Sequence, residues 1–211
     1  MTVVPLSFQL CGWLPAWWRG AAGGDDILEL LGPSLMREVS PLRASTSAIT
    51  AYCPELGVGV LPGPKPVTEQ AVAAGEAVIF HCGPGAASQV LVPKVGLFEA
   101  GTPRPVDVGL REAAADFAQA VVTAEHELRA SATTFQATPP PMTVRPLPPG
   151  ADSQRKALLA RAARMWTAVD AVPSVQRTPA LVEVLRCSAR ATLAAYHESV
   201  VTAPDRTRRF A

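Results

Sequence analysis

The chain of 211 residues contains no asparagine and only 3 lysines against 16 arginines. With its abundant alanine, that skew is the mark of a GC-rich genome, so single Arg or Ala choices carry little functional information. Alanine does raise the expectation of helix wherever it clusters. Aromatic residues are sparse at 6%, while 18% charged and 48% hydrophobic residues make an ordinary balance that excludes global disorder. The length suits one large domain or two small ones. The 4 cysteines (Cys11, Cys53, Cys82, Cys187) include no C-x-x-C pair. This argues for buried, reduced thiols rather than a disulfide framework or a zinc site. The apolar stretch Met1–Trp18 has no basic segment before it and no A-x-A-like cleavage site. Its first basic residue, Arg19, comes after the apolar run, and Pro5, Gly12 and Pro15 interrupt it. It reads as neither a signal peptide nor a membrane span, and cytoplasm is the expected compartment.

What is present is patterned. Trp13/Trp17 and Leu14/Trp18 are i,i+4 pairs on a short helix ending near Gly20, and Gly23–Asp26 opens a second helix that Gly32-Pro33 stops. Residues 45–99 read as a small antiparallel sheet of at least three strands. Its strands are Thr46–Tyr52, Ala77–Cys82 and Gln89–Val92, with a turn at Gly83-Pro84-Gly85 and a short helix over Thr68–Ala74. Leu110, Ala114, Phe117, Val121, Ala124, Leu128, Ala132 and Phe135 then step by three and four, predicting a long helix over 108–136. Residues 138–150 hold six prolines and must be an extended strap. Two helices follow in the segment 151–211. The first is capped at Asp152 or Ser153 and turns Leu158, Ala162, Met165 and Val169 inward. The second, Ala180 to about Val201, turns Val182, Leu185, Ala189, Leu193, Tyr196 and Val200 inward. The expected fold is α+β: a body at 1–137, the strap, and a C-terminal antiparallel helical hairpin docked on the body. Charge supports the docking, since residues 1–150 carry −4 and residues 151–211 carry +5.

The stretches Trp13–Leu31 and Gly57–Phe80 (GVGVLPGP…AVAAGEAVIF) resemble a group of alanine-rich conserved proteins from high-GC bacteria with no assigned activity. The resemblance covers about a third of the chain. It implies a stand-alone intracellular protein and no catalytic residues.

No constellation compels one chemistry. The segment His81–Ser88 offers a thiol, an imidazole and a hydroxyl (Cys82, His81, Ser88) beside a glycine-rich turn whose N–H groups could hold an anion. Yet His81 and Cys82 are consecutive on a strand and point to opposite faces. The loop also lacks Gly-Lys-Ser/Thr, and Pro84 removes a donor. Gly57, Gly59 and Gly63 mark a second loop where backbone approaches something closely, either a ligand or a neighbouring helix. His126 and His197 form no H-x-x-x-H or H-x-x-E pair, so no metal and no cofactor are expected. Asp25 and Asp26 suit a helix N-terminus better than acid–base catalysis. Arg155, Lys156, Arg161 and Arg164 lie outward on the first C-terminal helix, but no exposed aromatic is interleaved for base stacking, and Glu183 can neutralise Arg186.

Two function classes therefore remain. The leading one is a non-enzymatic protein-interaction or oligomeric module with candidate interface residues Trp13, Trp17, Trp18, Arg161 and Arg164. The alternative is an enzyme or small-ligand binder with a pocket where Gly57–Pro64 and Gly83–Gly85 meet the long helix. A weak nucleic-acid binder using the basic C-terminal helices ranks third. A pocket protein requires the two loops to converge on an inward His81 or Ser88. An interaction protein built on the tryptophans requires Trp17 or Trp18 at the surface.

Overall fold

The computed structural model describes residues 4–61, 63–83, 86–101, 109–131 and 144–197. Among them are six helices and a four-stranded antiparallel sheet, an α+β fold. In chain order the elements are α1 (Leu6–Trp18), α2 (Gly24–Val39), a 3-10 segment (Ser40–Ala44), β1 (Thr46–Tyr52), α3 (Lys65–Ala74), β2 (Ala77–Cys82), β3 (Ser88–Val92), β4 (Gly96–Ala100), α4 (Leu110–Ala130), α5 (Ser153–Asp170) and α6 (Pro179–Tyr196). The strands lie in the order β1-β2-β3-β4. β4 adds a strand that the turn at Pro93–Val95 makes possible, with Lys94 in the left-handed region at φ 66°.

Both faces of the sheet are covered, which is why Ala77–Phe80 is an unbroken apolar run rather than an alternating one. One face, with Ala77, Ile79, Val90, Val92 and Ala100, packs under Val67 and Ala71 of α3. The other, with Ile49, Ala51, Val78, Phe80 and Leu91, joins the main core, to which α1, α2, α4, α5 and α6 also contribute. Helix α1 is apolar on every side and accordingly buried on almost every side, from Ser7 to Ala16. It runs through both Gly12 and Pro15. A Cβ at Gly12 would overlap the Tyr196 carbonyl oxygen, so only glycine lets α1 meet the end of α6 this closely. The Glu76 carboxylate accepts the Ser7 N–H at 2.7 Å and so tethers the first turn of α1 to the start of β2.

Three expectations shift. Gly32 kinks α2 at φ 73°, but helix resumes at Pro33, whose missing N–H costs nothing in a first turn. The buried line of α4 is Ala113, Phe117, Ala120 and Ala124, with Leu110, Ala114, Val121 and Leu128 only half-buried; residues 132–136 lie outside the described residues. On α6, Val182 is 51% exposed, and Leu181 and Val184 take the inward places. Helix α6 packs against α1, α4 and α5 at once. From Cys187 to Tyr196 every residue but Arg190 is therefore buried, and no single stripe describes it. Trp166 of α5 also turns inward, its ring 6.2 Å from that of Phe8. Asp152 caps α5, accepting the Arg155 N–H at 2.8 Å.

Of the strap, Val144–Gly150 is described, in neither helix nor strand. The Trp13 indole donates to the Pro146 carbonyl at 3.2 Å, and the Tyr196 hydroxyl donates to the Arg145 carbonyl. The Arg145 guanidinium lies 4.8 Å from the centroid of the Trp13 ring and reaches Glu29 at 3.1 Å and Asp26 at 3.5 Å. Docking of the C-terminal helices is chiefly apolar; Arg190–Asp116, at 3.2 Å, joins α6 to α4 by charge.

Candidate functional site

The sheet register fixes where the glycines of the two loops enter and leave the strands. Thr46 pairs with Cys82 and Tyr52 with Ala77, so Gly83, whose N–H bonds the Ser45 carbonyl, sits at the start of β1. Gly57 and Gly59 sit at the other end, where Val58 bridges Cys53 and a Cβ on Gly59 would overlap the Ala51 carbonyl oxygen. Six residue steps along β1 separate Ser45 from Ala51, about 20 Å. Gly57 and Gly59 therefore lie away from Gly83. Gly57 (φ 63°) and Gly59 (φ 75°) serve turn geometry and close packing instead. A Cβ on Gly57 would lie 3.4 Å from Arg186 Cδ, so its neighbour is α6 rather than the long helix. Gly63 returns toward the Gly83 end, near Val67 and Ala100. Gly85 lies outside the described residues.

At that end, Ala48, His81, Ser88 and Ala100 form a row across the α3-covered face, neighbouring strands being about 4.8 Å apart. His81 and Ser88 are buried. His81 Nε2 lies 2.7 Å from Thr50 Oγ1, the diagonal neighbour on β1. The sequence holds no cue to Thr50, because that pairing depends on the β1–β2 register and its bulge between Thr46 and Ala48. Cys82 is half-buried and faces away from His81, with its thiol 3.9 Å from Ser45 Oγ. As the alternation implies, imidazole and thiol form no dyad.

Cys11, Cys53 and Cys187 are buried and unreactive by environment. Burial pushes the Cys53 thiol up to about 11. Burial and the neighbouring Glu183 carboxylate do the same for Cys187, also to about 11. Burial alone raises Cys11 further still. Among the described residues, no group of three His, Cys, Asp or Glu side chains could hold a metal ion.

Two of the three α1 tryptophans are internal. Trp13 and Trp18 are buried, the Trp18 ring 6.3 Å from that of Phe80, and Trp17 is half-buried against the core. The expectation of Trp13 and Trp18 as interface residues is corrected accordingly: both are spent inside the chain, because α1 is enclosed by the sheet, α2, α6 and the strap.

The arginines sort differently. Arg155 turns inward, donating to the His197 carbonyl at 2.7 Å. Arg186 is paired with Glu183 at 2.8 Å, which holds the Glu183 carboxyl below its ordinary range. Lys156, Arg161 and Arg164 stay exposed on α5, with exposed Ala157 and Ala160 between them. No Asp or Glu occurs from Ser153 to Val169. Asp152 and Asp170, which flank this face, are engaged by Arg155 and Arg177. The outcome is a cationic helix face with an alanine floor.

Among the described residues, no helix is long and apolar enough to cross a membrane. No family model, no curated protein and no solved structure matches the chain.

Proposed function

We propose that the protein is a non-enzymatic interaction module whose docking face is the outer surface of α5, and that its partner presents a carboxylate-rich segment. The observation that carries this reading is the exposed trio Lys156, Arg161 and Arg164, set around Ala157 and Ala160 without a carboxylate among them. Small side chains let a partner's backbone come close. The uniform sign supplies steering and selects against basic partners. Gly57 and Gly59 lie at the far end of β1 from Gly83, and Trp13 and Trp18 are buried, which favours α5 as the docking face.

A direct test titrates the full chain with a 20-residue polyglutamate peptide and, separately, with single-stranded DNA of equal charge, following backbone amide signals. The expected result is saturable peptide binding with shifts confined to α5, weakened at least tenfold in R161E/R164E. Binding of neither probe, or tighter binding of DNA than of peptide, would overturn the reading.

A further inference from the structure

The proposal rests on the reading of α5 as an acid-seeking face and names its partner: we infer that the segment it takes is the start of α2 in a second copy of the chain. The first turns of α2 carry Asp25, Asp26 and Glu29, with Arg145 as the cation that answers them. Beside Asp25, at one edge of this acidic arc, stands Leu28, a large apolar side chain left 42% exposed. Asp25 and Glu29 are exposed as well. The patch is therefore an apolar knob bordered on one side by negative charge, with a net charge of −2 after Arg145 is counted.

The α5 face is its complement in both respects. It offers positive charge from Lys156, Arg161 and Arg164 around a shallow alanine floor at Ala157 and Ala160 that can receive a leucine. The two patches cannot satisfy each other within one chain. Helix α2 packs on α1, the 3-10 segment and β4, whereas α5 packs on α6 and α4. Each copy thus carries both halves of one contact on different parts of its surface. Such a contact is heterologous: repeated from copy to copy it builds rings or open chains, unless the two patches face the same way and allow a twofold pair. Its charged groups are solvent-exposed, so the association is weak, grows with protein concentration, and falls as salt screens it within about 10 Å at 0.1 M.

The test is light scattering coupled to size exclusion, with sedimentation velocity, over a hundredfold range of protein concentration at low and high salt. Expected is reversible self-association at low salt that 0.5 M salt reverses. R161E/R164E alone, and D25R/E29R alone, should each weaken association at least tenfold, and mixing the two variants should restore it, because one supplies each swapped face. A monomer under all conditions, or association that neither reversal alters, overturns the inference. Circular dichroism of each variant guards against misfolding. If the wild type stays monomeric yet polyglutamate still binds α5, the second-copy assignment fails while the interaction reading survives.

Discussion

Replacing Arg145 by alanine tests the idea that a strap residue fastens three helices. Its side chain is only 18% exposed, although it stands in a proline-rich segment without regular structure. Three contributions are lost. The pair of ion contacts to Asp26 and Glu29 involves partly exposed carboxylates sharing one guanidinium nitrogen, worth about 1 kcal/mol together. The stacking on Trp13 contributes about 1 kcal/mol in this half-desolvated setting. Burial of the aliphatic stem adds about 1 kcal/mol. The backbone carbonyls of Arg145 and Pro146 keep their bonds from Tyr196 and Trp13, so the strap loosens without being released. The sum is about 2–3 kcal/mol, or roughly 5–10 °C in melting temperature for a chain of this size. Urea unfolding followed by tryptophan fluorescence measures it directly. R145K should recover the charge but not the planar stacking, and so regain about half of the loss. A double-mutant cycle with Trp13→Phe should give a coupling of at least about 0.5 kcal/mol. An R145A protein within about 0.5 kcal/mol of wild type, or an R145K protein as stable as wild type, would refute the account.

Gly12→Ala should destabilise by about 3 kcal/mol or more, because the new methyl overlaps the Tyr196 carbonyl; on an unconstrained helix the same change would stabilise by about 1 kcal/mol, so thermal unfolding reads the sign. Thiol chemistry separates the cysteines: Cys82 should react with a disulfide reagent in the native state and Cys11, Cys53 and Cys187 only on unfolding, with C82S removing the fast phase. Cys53 and Cys187 hold their protons more tightly folded than unfolded, so the stability they contribute is complete below about pH 9 and is lost as pH rises toward about 11. Urea midpoints across that range should fall, and C53S/C187S should flatten the decline.

Local rules made much of the architecture legible in the chain. The strand runs around Ala77–Cys82 and Ser88–Val92, the helix stop at Gly20, the Asp152 cap and the strap at Val144–Gly150 depend on the residues in place and their immediate neighbours. The opposed directions of His81 and Cys82 follow from alternation alone. The burial of Trp13 and Trp18 is not legible in the chain: their i,i+4 spacing fits an interface as well as a core, and only packing with the sheet and α6 encloses them.

Tertiary structure decided what depends on partners far away in the chain. Helix α6 has Val182 outward and Leu181 inward because α1, α4 and α5 close on it together, and periodicity within one helix carries no record of three neighbours. Gly59 and Gly83 lie apart because the β1–β2 register places them at opposite ends of a strand. His81 meets Thr50 for the same reason. Arginines that look alike in the sequence divide into Arg155 and Arg186, which are engaged, and Arg161 and Arg164, left outward as a surface. The amino-acid order determined which segments fold and where the chain turns. Which side chains remain exposed was fixed only when distant elements came to compete for the same interior.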